Sequence, residues 1–62
     1  MRLDELNDRQ KIQLKQNILV ERRDHIGESP SYAELAMADD LVSDEDMEDC
    51  YAGTVFSEDD FA

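Results

Sequence analysis

The residues of this sequence best suited to chemistry are the carboxylates of a short acidic run. Five of the six residues from 44 to 49 are Asp or Glu, and alternating oxygen ligands are what a calcium-binding EF-hand loop uses. That loop also needs glycine at its sixth position and glutamate at its twelfth. A loop that begins at Asp44 has Asp49 and Val55 at these positions instead. We therefore expect no EF-hand, no bound metal and no cofactor.

His25 and Cys50, each the only residue of its type, are the other candidates for chemistry. A nucleophilic cysteine needs an adjacent base, and carboxylates close to Cys50 disfavour its thiolate. We expect Cys50 to be a core residue and His25 to lie at a helix end, where it suits the helix dipole. Acid–base catalysis by carboxylates needs an enclosing pocket, which 62 residues can hardly form. The sequence predicts no catalytic residues and no enzyme activity.

The charges are divided unequally along the chain. The first 23 residues carry all six Lys and Arg and four acids, a net charge of +2, and residues 24–62 carry thirteen acids and no Lys or Arg. This asymmetry favours basic partners and disfavours nucleic acid and anionic membranes. A net charge of −11 also destabilises a small domain by self-repulsion. The alternative interpretation is that the acids only solvate the surface.

Length and cysteine content limit the architecture further. Sixty-two residues form at most one domain, whose core typically supplies no more than about 3–5 kcal/mol. A single cysteine excludes an intramolecular disulfide and is typical of the cytoplasm. No apolar run approaches the ~20 residues that span a bilayer, and the first residues lack a signal-peptide core. We expect a cytoplasmic protein without membrane contact.

The elements that must position these residues are predicted to be three helices. The first runs from residue 8 to about 25, because Asn7 and Gln10 form a capping box and Gly27 is a stop signal. Its core-facing arc mixes apolar residues with cations: Ile12, Leu14, Ile18, Leu19, Lys11, Lys15 and Arg22. Two interpretations of these cations are open. Their aliphatic stems cover the edge of the core while their charged heads reach water, or their heads face carboxylates in the second half of the chain.

The second and third helices are shorter. Ser31 and Glu34 form a capping box for a helix from residue 32 to about 39, whose apolar stripe is Tyr32, Leu35 and Ala36, with Met37 beside it. Ser43 caps the third helix, and Val42 and Met47 match a hydrophobic staple around that cap. Gly53 ends it. The inward residues of this third helix are Met47, Cys50 and Tyr51.

The remaining residues are predicted to close the domain and to form a tail. Val55 and Phe56 are expected to dock on the core, and residues 57–62 are expected to be a frayed acidic tail. The sequence therefore predicts an all-α domain of residues 1–56, built from three helices, followed by the tail 57–62.

Residues 31–51 resemble a helix-turn-helix in outline. Leu35–Ala36 resembles the apolar–alanine pair of its first helix, and residues 41–43 resemble its turn. Asp40 replaces the usual glycine, and the spacing is one residue longer than usual. The helix that would read DNA is rich in carboxylates, whereas DNA binding depends on cations. A DNA-binding regulator is therefore the least favoured function, and it would use Arg2, Arg9, Arg22 and Arg23.

The acidic run has a charge density close to that of DNA. The five carboxylates of residues 44–49 lie along about 7.5 Å of helix. Duplex DNA carries one charge per ~1.7 Å of its axis, so the two linear charge densities are alike. In size and charge the chain resembles small acidic proteins of phages and mobile elements that inhibit restriction or CRISPR enzymes. The runs 31–36, 41–45 and 51–53 also resemble short proteins of Gram-positive mobile elements, which implies an origin but no activity.

We therefore predict a DNA-mimic inhibitor, an anti-defence protein that occupies a basic nucleic-acid-binding surface of a partner protein. The predicted partner-binding residues are Asp39, Asp40, Asp44, Glu45, Asp46, Glu48, Asp49, Glu58, Asp59 and Asp60. The alternative is an assembly subunit or homodimer that associates through apolar contacts while the acids only solvate it. The apolar residues in excess of a small core are Tyr32, Leu35, Met37, Val55, Phe56 and Phe61.

Overall fold

The structure is a computed structural model that describes residues 1–61. Four α-helices follow one another within those residues: α1 Asp8–His25, α2 Tyr32–Ala36, α3 Ala38–Leu41 and α4 Asp44–Tyr51. Two 3₁₀ turns, Leu3–Glu5 and Glu58–Phe61, flank them. No strand occurs in this part of the chain, so the predicted all-α class is confirmed. Ala62, the last residue of the predicted tail, lies outside the described residues.

Both predicted ends of α1 are confirmed. At its start, the Asn7 side chain accepts a hydrogen bond from the Gln10 N–H at 2.8 Å, and the Gln10 side chain accepts one from the Asn7 N–H at 3.0 Å. At its end, Gly27 adopts a positive φ of 75°. The Glu28 N–H then donates to the Arg23 carbonyl at 2.8 Å, as in a Schellman motif. Local sequence signals therefore set the length of α1.

The predicted single helix from residue 32 to about 39 is wrong, because it breaks at Met37. The Met37 backbone has φ −101° and ψ 14°, which separates α2 from α3. Carbonyls at a helix end need other partners, and the Leu35 carbonyl accepts a hydrogen bond from Gln16 Nε2 of α1 at 3.1 Å. The helix resumes at once, since the Leu41 N–H donates to the Met37 carbonyl at 3.0 Å.

The predicted apolar stripe of α2 is wrong at Tyr32 and Ala36, whereas Leu35 is half-buried. Tyr32 and Met37 are 89% and 52% exposed, and Ala36 is exposed as well. The residues that face α1 are instead Ala38 and Val42, neither of which has accessible surface. These two positions are four residues apart and share one helix face, and that face is the one that packs.

The core forms around α1. Its buried apolar residues are Leu6, Leu14, Ile18, Leu19, Ala38, Val42, Met47 and Phe56. The burial of Val42 and Met47 agrees with the predicted staple at the start of α4. Tyr51 packs edge-on against Phe56 with ring centroids 5.6 Å apart, and Phe61 packs on the other side at 5.8 Å. The C-terminal 3₁₀ turn is thereby joined to the core through one aromatic residue.

Three predicted core residues lie at the surface instead. Cys50 is exposed because the buried arc of α4 is centred on Met47 and Tyr51, which leaves Cys50 at its edge. Val55 is 72% exposed, since adjacent residues of an extended chain point to opposite sides and Phe56 takes the inner side. Ile12 is 37% exposed at the margin of the α1 arc.

The chain leaves α4 through a tight turn and returns to its own beginning. Gly53 has a φ of 74°, Ala52 has φ −57° and ψ 127°, and the Thr54 N–H donates to the Tyr51 carbonyl at 3.0 Å. These values match a type II turn, which favours glycine at its third residue. The Phe56 N–H then donates to the Met1 carbonyl at 2.6 Å.

Val42 and Val55 provide a matched test of this core. Val42→Ala removes fully buried methyl groups, so we expect it to lower the free energy of unfolding by about 2 kcal/mol. Val55→Ala alters an exposed side chain and should change that free energy by less than about 0.5 kcal/mol. Urea unfolding followed by circular dichroism measures both. Equal losses from the two substitutions would contradict the packing described.

Candidate functional site: the acidic surface of α3 and α4

Helix α4 divides its carboxylates between two sides. The Ser43 hydroxyl accepts a hydrogen bond from the Asp46 N–H at 3.1 Å and caps the helix as predicted. Residues three and four apart share one helix face. Three acids of α4 with this spacing lie on its solvent side, and all three are exposed. These three, termed the outer carboxylates, are Glu45, Glu48 and Asp49. The other two acids of the helix, Asp44 and Asp46, lie toward α1.

The side chain that organises the inner side is Lys15 of α1. Only 5% of this side chain is exposed, and its Nζ lies 2.8 Å from Asp39 Oδ1 and 3.0 Å from Asp44 Oδ1. The two carboxylate side chains are themselves 66% and 81% exposed. A buried ammonium therefore meets two carboxylates that remain in water. One cation of α1 holds both α3 and the first turn of α4.

These contacts shift the pKa values of Lys15 and Asp44 in the direction of their charged forms. The hydrogen bond from Lys15 to Asp39 raises the pKa of Lys15 above its ordinary 10.5 and outweighs the opposing effect of burial. The same ammonium holds the pKa of Asp44 below its ordinary 3.8, and the nearby charge of Lys11 acts in the same direction. The ion pair is therefore fully charged at neutral pH.

Two arginines of α1 make further ion pairs with the second half of the chain. Arg22 lies 3.4 Å from Asp46, and both side chains are about half exposed. Arg23 bridges Glu28 at 3.1 Å and Glu34 at 2.6 Å. Exposed pairs of this kind contribute at most about 1 kcal/mol each. Their structural role is to orient the acids, and for Lys15 and Arg22 the prediction that their heads face carboxylates is confirmed.

The predicted capping box of α2 is only half formed, because one of its side chains makes an ion pair with α1. The Ser31 hydroxyl accepts a hydrogen bond from the Glu34 N–H at 3.2 Å, as the sequence indicates. The Glu34 carboxylate does not return to Ser31, because it binds Arg23 instead. An ion pair with another element has replaced the local hydrogen bond.

The ten predicted partner-binding carboxylates therefore have two different environments. Three of them are ion-paired with α1: Asp39, Asp44 and Asp46. The other seven are exposed: Asp40, Glu45, Glu48, Asp49, Glu58, Asp59 and Asp60. Asp60 also accepts a hydrogen bond from the Ser57 N–H at 2.7 Å, which closes the C-terminal 3₁₀ turn. The sequence alone did not separate the paired acids from the unpaired ones.

An open groove of about 700 Å³ borders the outer carboxylates, and sequence reasoning did not identify it. Arg2, Lys11 and Glu48 line it together with the apolar side chains of Tyr51 and Val55. Burial raises the pKa of the Tyr51 phenol above its ordinary value. The start of the chain, α1, α4 and the turn after α4 each contribute residues to the groove. Because four separate segments form it, no single segment of the sequence predicts it.

The remaining candidates for chemistry lie on the opposite edge of α4. His25, the last residue of α1, is exposed as a helix-end residue, and with Cys50 and Arg22 it lines a shallow groove. Within residues 1–61, no three His, Cys, Asp or Glu side chains are grouped closely enough to hold a metal ion. In the same part of the chain, no helix combines the length and the apolar character needed to cross a membrane.

Comparison with known proteins identifies no relative of this chain. No protein-family model matches it, and neither a curated protein nor a solved structure does. The resemblance in size and charge to inhibitors from phages and mobile elements therefore stays a prediction.

The one-sided burial of the Lys15 ion pair predicts an asymmetric response to mutation. Lys15→Met keeps most of the buried side-chain volume and leaves two carboxylates in water, so we expect it to change the free energy of unfolding by less than about 1 kcal/mol. Asp39→Ala with Asp44→Ala removes both counter-charges from the ammonium of a side chain that is almost fully covered, and it should be more destabilising. Urea unfolding measures both.

The matched control is Asp40→Ala with Glu45→Ala, which removes two exposed carboxylates from the same helices. Because it lowers self-repulsion without breaking an ion pair, we expect it to leave stability unchanged or slightly raised. If the Lys15→Met variant were less stable than the Asp39→Ala, Asp44→Ala variant, the proposed energetics of the buried ammonium would be wrong.

The pKa directions also predict how stability depends on pH. The pKa of Asp44 is lowered from 3.8 in the folded chain, so its contribution is present above that value and is lost as pH falls through the folded pKa. The pKa of Lys15 is raised from 10.5, so its contribution is present below that value and is lost as pH rises through the folded pKa.

The measurement is the difference in unfolding free energy between the natural chain and Lys15→Met across the pH range. We expect a plateau at neutral pH that falls at both the acidic and the alkaline end. Taking the difference cancels the pH dependence that the other carboxylates give to the unfolding free energy, because both proteins contain them. A difference that did not vary with pH would contradict the ion pair.

Proposed function

We propose that this protein is a non-enzymatic acidic binding protein that occupies a basic nucleic-acid-binding surface of a partner protein. The observation that carries the proposal is the division of the α4 acids. Asp44 and Asp46 are ion-paired with α1, whereas Glu45, Glu48 and Asp49 are exposed on the other side of the helix. The cations near α4 therefore neutralise its inner acids, and the outer carboxylates face solvent.

The spacing of the outer carboxylates supports recognition by a surface that binds nucleic acid. Residues 45 to 49 span about 6 Å of helix, so the three outer carboxylates are on average ~3 Å apart along its axis. Each strand of duplex DNA carries one charge per ~3.4 Å of axis. A cleft lined with Lys and Arg to hold phosphates at that spacing attracts carboxylates of similar density. Asp40 adds a further exposed charge on the adjacent helix α3.

Attachment of α4 to α1 supports the same proposal, because a charged surface that is already fixed loses less entropy when it binds. The first turn of α4 is held by Lys15 and Arg22, and Met47 anchors its buried side. The outer carboxylates are therefore presented by a helix with three attachments to the rest of the domain. Nucleic acid itself is not the expected ligand, because a net charge of −11 repels phosphates.

The biological setting belongs to the same proposal. A small acidic inhibitor of a nucleic-acid-binding enzyme is of use to a phage or mobile element that meets restriction or CRISPR defences. The place of action would then be the cytoplasm, where those enzymes work. The resemblance in size and charge is what supports this setting.

A second candidate function is assembly through apolar contacts. Of the six apolar residues in excess of a small core, Phe56 is buried, Phe61 packs on it and Leu35 is half-buried. Tyr32, Met37 and Val55 remain largely exposed, which is the observation that favours this candidate. Sedimentation equilibrium over a wide concentration range tests it. A dimer that dissociates on dilution would support apolar self-assembly, and a monomer throughout would reject it.

The proposed function predicts that two sets of carboxylates differ in their effect on binding. The outer variant carries Glu45→Gln, Glu48→Gln and Asp49→Asn. The control variant carries Asp8→Asn, Glu21→Gln and Asp24→Asn, which make the same change in net charge at exposed sites of α1. We expect nucleic-acid-binding proteins from a bacterial lysate to be retained by the natural chain and the control variant and to be lost from the outer variant.

Mass spectrometry of the proteins captured at physiological salt reads out this comparison, and circular dichroism checks that each bait is folded. Retention should also fall steeply as salt is raised, because exposed charges are screened. Equal retention by the natural chain and the outer variant would mean that the outer carboxylates do not form the binding surface.

A further inference from the structure

The outer side of α2 and α3 carries a group of apolar side chains that the proposed function does not use. Tyr32, Met37 and Leu41 are 89%, 52% and 47% exposed. They are three of the seven large hydrophobic residues exposed within residues 1–61, and they fall within ten consecutive positions. Exposed apolar residues scattered singly need no explanation, whereas a contiguous group of them marks an interaction site.

Two of these side chains, Met37 and Leu41, follow Ala33 on one line along α2 and α3 in spite of the break at Met37. The Met37 N–H donates to the Ala33 carbonyl at 3.1 Å, and the Leu41 N–H donates to the Met37 carbonyl at 3.0 Å. Successive turns are therefore stacked on one line, as in an unbroken helix. The neighbouring line, at the same spacing of four residues, consists of Tyr32, Ala36 and Asp40.

The two lines together are termed the α2–α3 face, whose members are Tyr32, Ala33, Ala36, Met37, Asp40 and Leu41. All six are exposed, and the opposite side of the same helices is closed, because Ala38 and Val42 are fully buried. The two alanines are small enough to let another backbone approach closely. Asp40 is the charged member of the face, and no Lys or Arg follows residue 23 in the sequence.

We infer that the α2–α3 face binds an amphipathic segment of the same basic partner, in which apolar side chains are flanked by lysine or arginine. This inference rests on the proposed function. It adds the feature by which the protein distinguishes its partner from other basic proteins. The apolar side chains of the segment would pack against Met37 and Leu41. Its cations would meet Asp40, so the charges are complementary.

A second copy of the chain fits this face less well. Each copy carries a net charge of −11, so two such faces would bring like charges together. A stable interface also takes about 20–30 residues from each side, whereas the face has six. The face is therefore proposed as one part of a larger contact with the basic partner.

The inference can be tested with two synthetic peptides made only of leucine and lysine. In the first, leucine is spaced so that a helix has one apolar face. The second has the same composition in a shuffled order without such a face. Fluorescence anisotropy at low salt measures the affinity of each peptide. We expect the natural chain to bind the amphipathic peptide about tenfold more tightly, a difference of ~1.4 kcal/mol.

The face variant, Met37→Gln with Leu41→Gln, should remove that preference and retain the binding that both peptides owe to charge. The matched control is Ile12→Gln with Val20→Gln, which changes two exposed apolar residues of α1 and should keep the preference. Circular dichroism verifies that both variants are folded. A natural chain that binds the two peptides equally, or a face variant that keeps the preference, would overturn the inference.

Failure of the proposed function has a different signature. If it holds, the outer variant (Glu45→Gln, Glu48→Gln, Asp49→Asn) weakens the binding of both peptides more than the charge-matched α1 control variant (Asp8→Asn, Glu21→Gln, Asp24→Asn) does, and it keeps the ratio between them. If the proposed function fails, the two variants weaken the binding of both peptides equally, whatever the ratio. Sedimentation of the natural chain without peptide completes the test, because a dimer that the face variant abolishes would assign the face to a second copy.

Discussion

The arrangement of this small domain depends on one buried cation. Lys15 lies on the core side of α1 with 5% of its side chain exposed, and its ammonium is bound by carboxylates from α3 and α4. Burial of an unpaired charge is costly, so the two acids must stay in place once the chain has folded. The position of the acidic helix relative to α1 follows from that requirement together with the burial of Met47 and Val42.

The same interaction accounts for the unequal distribution of charge along the sequence. Lys15 and Arg22 pair with Asp39, Asp44 and Asp46 of α3 and α4, and they do so from the helix around which the core forms. Within residues 1–61 the outer acids of α4 form no ion pair, although Arg2 and Lys11 line the same groove as Glu48. A chain with net charge −11 thereby folds with ion pairs between α1 and the helices α3 and α4, and with further carboxylates on the solvent side of α4.

Local signals in the sequence were sufficient to predict the limits of α1, the caps of α2 and α4, and the all-α class, because each depends on residues a few positions apart. The break at Met37 was not predictable in this way, since it is stabilised by Gln16 from another helix. The exposure of Cys50 depends on how α4 is rotated against α1. For the candidate site, the cations of the α1 arc were a usable signal, but only the structure separates paired from exposed carboxylates.

The proposed function is tested most directly by competition for a partner protein recovered on the natural chain. That protein is bound to fluorescent duplex DNA, and the natural chain, the outer variant and the α1 control variant are each added in increasing amounts. We expect the natural chain and the control variant to displace the DNA and the outer variant to leave it bound. Displacement by all three with the same potency would contradict the proposed function, because the outer carboxylates would then have no part in binding.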